Sequence, residues 1–218
     1  MGEAGWTARR LSGTVDELHA LAPGADTGRE VWLMLPTDTA LVLGSAQSAE
    51  VVGGLHTGEG RVVRRRSGGG AVMVDPDSSV WIDIVINRGD SLWEDDVNRA
   101  PLWLGGVWAA ALASLGVAHG EVFDRYEPGP WGRLACFASR GPGEVLIGGA
   151  KAVGVTQRRT RTIARFQTLL YRRWDPEEMF TRLAESSDQL RGALEAAARP
   201  VAAHPDEIRA AFAAALPR

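Results

Sequence analysis

Residues 64–75 read Arg-Arg-Arg-Ser-Gly-Gly-Gly-Ala-Val-Met-Val-Asp. Three arginines run into a glycine triplet, and the triplet runs directly into a strand-like apolar stretch. Arginine supplies a fixed fork of donors for carboxylate or phosphate oxygens. Glycine lets backbone N–H groups come close to the same anion. The segment therefore predicts a binding site for an anionic small molecule. A P-loop requires Gly-x-x-x-x-Gly-Lys-Ser/Thr ahead of a helix, and a dinucleotide fingerprint requires Gly-x-Gly-x-x-Gly opening one. Here a strand follows the glycines, so neither fold fits. No protein-kinase or Gly-x-Ser-x-Gly hydrolase pattern is present. A tight, purely structural strand connection is the competing reading of Gly68–Gly70.

Apolar runs bounded by turn residues predict strands over 31–35, 39–43, 62–66, 71–74 and 80–86. Leu102 to Leu115 is apolar on almost every side, follows Pro101 and stops before Gly116, which predicts a buried helix. A Gly- and Pro-rich stretch covers 120–132. Glu144–Ile147, Gly148-Gly149 and Ala152–Gln157 predict a hairpin, and 163–171 a further strand. From Pro176 onward Met179, Phe180, Leu183, Leu190, Leu194, Ile208, Phe212 and Leu216 recur at helical spacing. Strands in the middle and helices at the end give an α+β class rather than a doubly wound parallel sheet.

The 218 residues, 45% of them hydrophobic, suffice for one sizeable core and suggest a single domain over 1–218, with 176–218 as a helical C-terminal part. A net charge of −3 gives no global reason to expect nucleic-acid or membrane binding. The single cysteine, Cys136, excludes an intrachain disulfide and a Cys-based zinc site, and fits a reducing, cytoplasmic setting. The polar start, Met1 to Arg10, does not read as a signal peptide. His19, His56, His119 and His204 are scattered, which argues against a histidine metal site. Lys151, Arg158, Arg159, Arg161, Arg165, Arg172 and Arg173 follow one another without an acidic residue. With Arg61 and Arg64–Arg66 they are expected to form one electropositive face, the alternative being a solvated strand edge. Phe166 and Tyr171 are too few aromatics for base stacking along it.

On these residues the chain resembles the lipoate–protein ligase / octanoyltransferase family, which shares its catalytic-domain architecture with biotin–protein ligases. Leu41-Val42-Leu43-Gly44-Ser45-Ala46-Gln47 is similar to the family's strand ending in Gly-x-x-Gln. Arg64-Arg65-Arg66-Ser67-Gly68-Gly69-Gly70-Ala71-Val72 matches its Arg-Arg-x-Ser-Gly-Gly-Gly-Ala-Val motif without a gap. Lys151-Ala152-Val153-Gly154-Val155-Thr156-Gln157 resembles its Lys-x-x-Gly-x-Ala-Gln segment. The match spans roughly 30–175. Val74 stands where many members have His, and Phe166-Gln167 replaces a His-Gly pair.

The resemblance implies a mixed, largely antiparallel central sheet flanked by helices. It implies a ligase that joins lipoate or octanoate to ATP, with Mg²⁺, and passes the acyl group to one lysine of a lipoyl carrier domain. The carriers implied are those of 2-oxoacid dehydrogenases or the glycine cleavage H protein. Arg65, with Arg64, is assigned to the anionic end of the acyl-adenylate. Gly70, Ala71, Val72 and Met73 are expected to line the nucleotide and acyl tunnel, and Lys151 to sit on the carboxyl–phosphate junction. Ser67, Gly68, Gly69, Asp75, Gly154 and Gln157 complete the expected binding set, with no resident metal. A pre-placed cation would lower the barrier to adenylation electrostatically; the competing reading of Lys151 is a surface lysine after a turn.

Cys136-Phe137 resembles the segment that carries the acyl-thioester cysteine in members that take octanoate from acyl carrier protein without ATP. A thiol with cations nearby is a competent acyl carrier, whereas a buried apolar Cys is the bland reading. A non-catalytic relative that binds an acyl-nucleotide or a partner protein is the third possibility.

Overall fold

The computed structural model describes residues 5–24, 27–53 and 61–218. His56 and the first four residues of the N-terminal reading lie outside them. Strand β1 (Thr7–Gly13), helix α1 (Val15–Ala20) and strand β2 (Glu30–Pro36) open the chain. They are followed by β3 (Ala40–Leu43), β4 (Arg61–Arg64), β5 (Val72–Val74) and β6 (Ser79–Asn87). Helix α2 (Leu102–Ser114), β7 (Glu121–Val122), β8 (Val145–Ile147), β9 (Ala150–Arg159) and β10 (Ile163–Tyr171) form the middle. Helices α3 (Pro176–Phe180), α4 (Asp188–Ala197) and α5 (Pro205–Ala214) end it.

Seven strands make one sheet in the order β1-β2-β6-β10-β9-β8-β7, and three make a second, β4-β3-β5. Only the β1–β2 and β3–β4 pairs are parallel. The expected mixed, largely antiparallel α+β architecture with a helical C-terminus is thus present. A capping box starts α1, which was not anticipated: Thr14 Oγ1 accepts from the Glu17 amide while the Glu17 carboxylate accepts from the Thr14 amide. Pro176 and Pro205 start α3 and α5, where a missing N–H costs nothing.

Alternation along the strands stacks these elements in layers. On β6, Ile82, Ile84 and Ile86 pack with Trp108 and Leu112 of α2 and Phe212 of α5. Trp81 and Val85 point the other way, into a core with Val42, Val63 and Val74 of the small sheet. Because β6 is covered on both faces, its sequence is a nearly continuous apolar run. The far face of the small sheet, Leu41, Leu43 and Met73, packs on Met179 of α3 and on Leu190 and Leu194 of α4. The two sheets therefore enclose an inner layer, and the site lies in it. No helix among the described residues is long and apolar enough to cross a membrane.

The single electropositive face expected from the basic run does not form. Lys151 and Arg165 are buried, because β9 and β10 are central strands whose alternate side chains turn inward, and Arg65 is buried in the loop after β4. Arg172 is spent on the carbonyls of Ala203 and Asp77. Arg159 lies over the Trp93 ring, 4.1 Å from its centroid.

Candidate active site

The triglycine loop leaves β4 and crosses the end of β3. Arg65 does not present its fork to a ligand. It is 3% exposed, and its guanidinium donates to the carbonyls of Val42 (3.2 Å), Gly68 (2.7 Å) and Gly70 (2.8 Å). Burial lowers its pKa, opposed by the Cys136 thiol and Tyr171. Arg64 is likewise occupied, capping the carbonyls of Gly44 and Gln47. The arginines that sequence reading assigned to an anion therefore hold the loop in shape, with one edge of Arg65 on the cavity wall.

The glycines are required by close approach. Gly69 has φ +97°, a left-handed conformation. A Cβ on Gly70 would sit 2.7 Å from the Gly132 carbonyl oxygen and 2.8 Å from the Cys136 nitrogen. Cys136 donates its amide to the Ala71 carbonyl, and Ala71 donates its own to that of Leu134, each at 2.8 Å. The loop is thereby stitched to the Cys136 segment, a 3₁₀ turn over Cys136–Ala138. Gly70→Ala is expected to cost about 1–3 kcal/mol through this clash and to displace Cys136. A denaturant melt together with thiol-labelling kinetics reads both effects; wild-type values for each refute the packing argument.

Two cavities meet at Cys136. The first is an apolar slot of about 50 Å³ between the sheets, walled by Val72 and Val74 on one side and Trp81, Gly154 and Leu169 on the other. The second, about 310 Å³, is lined by Gly68, Gly69, Gln157, Tyr126 and Glu144. Cys136, Val155 and Thr156 border both. Of the expected tunnel residues, Val72 faces the slot. Gly70 is packed under the Cys136 loop, and Ala71 and Met73 fall in the core beneath α3 and α4. Strand alternation on β5 is the reason. Asp75 is a turn residue instead: it accepts from Thr39 Oγ1 at 2.6 Å and from the Ser78 and Asp77 amides. Burial raises its pKa, but these bonds outweigh it and the net direction is down.

Lys151 is buried, not a surface lysine. Its Nζ donates to the Cys136 carbonyl and to Glu144 Oε1, both at 2.7 Å. It thus lies behind Cys136, held by an acid that sequence reading did not single out. Burial pushes the Glu144 carboxyl up, against the pull of Lys151 and of the Gly141 amide.

His19 and Gln167 were also missed as wall residues. No sequence pattern marks His19, because α1 was not anticipated. Ser67 Oγ donates to Gln167 Oε1 at 2.9 Å. His19 lies against Trp81 with ring centroids 4.4 Å apart. Burial, then the charges of Arg65 and Arg165, lower its pKa from 6.5 to about 3. Between those values the unfolded chain binds a proton that the folded chain does not. Stability therefore falls as pH drops through that window, by about 1.4 kcal/mol per pH unit. In His19→Phe this slope is expected to vanish, so the wild-type advantage in urea melts shrinks with acid; an advantage constant with pH refutes it.

An arginine–triglycine loop beside an apolar slot between two sheets, with a thiol at its mouth, defines the site of this α+β domain. The chain belongs to the lipoyl protein ligase A/B catalytic domain family, whose model matches residues 15–207, and it is an enzyme of that ligase and octanoyltransferase family. Among solved structures, a lipoate–protein ligase A bound with ATP has a TM-score of 0.65 at 16% identity, over 97% of this chain and 83% of that one. A Thermoplasma acidophilum protein with bound lipoic acid gives 0.66 at 15% identity, over 98% and 84%. A bipartite lipoate protein ligase from T. acidophilum, described with its E2 lipoyl domain, gives 0.64 at 14% identity, over 87% and 70%. At these identities the likeness is one of fold. A search of curated proteins finds no significant match.

Proposed function

We propose that this enzyme transfers an acyl group to a lysine of a lipoyl carrier domain, with Cys136 as the acyl carrier. The observation that supports this reading best is the position of Cys136 at the junction of the slot and the larger cavity. An acyl tail in the slot brings its carbonyl carbon to the thiol, and leaves the larger cavity for the donor and then the acceptor.

Cys136 Sγ attacks the carbonyl of an acyl thioester on acyl carrier protein. A new C–S bond forms, the donor's C–S bond breaks, and the donor thiolate takes a proton. The acceptor amine then attacks the Cys136 thioester, an amide forms, and the thiol is released. A Cβ placed on Gly69 would lie 2.9 Å from Arg65 Nη2 and 3.8 Å from Cys136 Sγ. Lys151, bonded to the Cys136 carbonyl, fixes the turn that aims the thiol. The E2 lipoyl domain described with the bipartite T. acidophilum ligase supports the acceptor class.

A second reading is acyl-adenylate formation from lipoate or octanoate with ATP and Mg²⁺. It draws on the ATP-bound relative and on the larger cavity beside Gly68 and Gly69. Mg²⁺ would arrive largely on the triphosphate, which asks few carboxylates of the protein. In this reading Lys151 leaves Glu144 to meet the phosphate, and Cys136 is packing.

Intact-protein mass spectrometry separates the two. The expected result is a hydroxylamine-labile adduct on Cys136 from acyl carrier protein charged with four- to eight-carbon chains, without ATP. Acyl-AMP from free acid and Mg-ATP, with no protein adduct, overturns the transferase reading in favour of the ligase.

A further inference from the structure

The slot has two ends with different character. At the open end it shares Cys136, Val155 and Thr156 with the larger cavity. At the other it shares His19 and Gln167 with a third cavity of about 90 Å³, which Arg66 and Arg158 also line. Gln167 and His19 are thus the partition that ends the slot.

Hydrogen bonds fix this partition. Gln167 Oε1 accepts from Ser67 at 2.9 Å, and Gln167 Nε2 faces Asp83 Oδ2 and His19 Nδ1, each at 3.4 Å. Asp83 is fully buried and receives Arg165 Nε at 2.7 Å and Trp81 Nε1 at 2.6 Å. Swinging the amide aside would leave the buried Ser67 hydroxyl without its partner, an unfavourable state. Register places it there: Gln167 is paired with Asp83 on β6 and with Thr156 on β9, so it projects into the inner layer between the sheets.

We propose that Gln167 sets the length of the acyl chain this enzyme accepts. The inference rests on the slot being the acyl site.

Calorimetric titration of the full chain with straight alkanoates of four to twelve carbons tests this without any turnover. Affinity is expected to rise about fourfold per methylene up to a break where the chain meets Gln167, and then level off. In Gln167→Ala or Gln167→Ser the rise should continue for two or three carbons more. In Gln167→Leu, which keeps the wall but not the bonds, the break should stay where the wild type has it. The break in the wild type needs no variant to fold. A rise unbroken to twelve carbons, a break unmoved in folded Gln167→Ala or Gln167→Ser, or no binding of any alkanoate at millimolar concentration overturns the proposal. A break that moves with Gln167 in a protein that forms no Cys136 adduct sinks the transferase reading and leaves the length assignment standing.

Discussion

Cys136→Ser is expected to abolish the labile acyl adduct and to slow amide formation on a lipoyl domain by roughly 10³-fold or more, the scale of losing a covalent nucleophile. The substitution exchanges sulfur for oxygen in a half-buried 3₁₀ turn, so the melting temperature should hardly move. Stability and activity are thereby separated in a single variant. Full transfer activity in a folded Cys136→Ser protein would reduce Cys136 to packing and leave adenylation as the surviving chemistry.

Lys151→Met is expected to destabilise the fold by about 3–5 kcal/mol, because it leaves the buried Glu144 carboxylate without its cation. For a chain of this size that is roughly 6–20 °C in melting temperature. Adding Glu144→Leu should recover most of the loss, since replacing both partners of a buried pair with apolar groups is often neutral or better. The repaired double variant then serves as the kinetic test. If Lys151 positions the Cys136 turn through its carbonyl, transfer stays slow although stability has returned. Equal melting temperatures for wild type and Lys151→Met would refute the ion pair's role in the fold.

The basic run from Lys151 to Arg173 shows where sequence reading stops. Its alternating residues divide between exposed positions such as Arg158 and buried ones such as Arg165, which pairs with Asp83 eighty-two positions away. Charge count along the chain carries no information on which side of a central strand a residue falls. Arg65 misleads in the same way: the motif implies a ligand fork, yet its donors go to carbonyls of Val42, Gly68 and Gly70. Those partners exist only once β3 and the loop have packed.

What the sequence determined by itself was local and gapless. The arginine–triglycine motif, the nearly all-apolar 80–86 strand, the buried 102–115 helix and the lysine segment are contiguous patterns, each legible from periodicity or from a match without gaps. They sufficed for the α+β class and the family. Tertiary structure decided the rest. It brought His19, Gln167 and Cys136, from three distant segments, to one slot, and it placed Glu144 on Lys151. The slot's length depends on the register of β10 against β6 and β9. Register is a property of paired strands, set by long-range burial, and no single strand's sequence contains it.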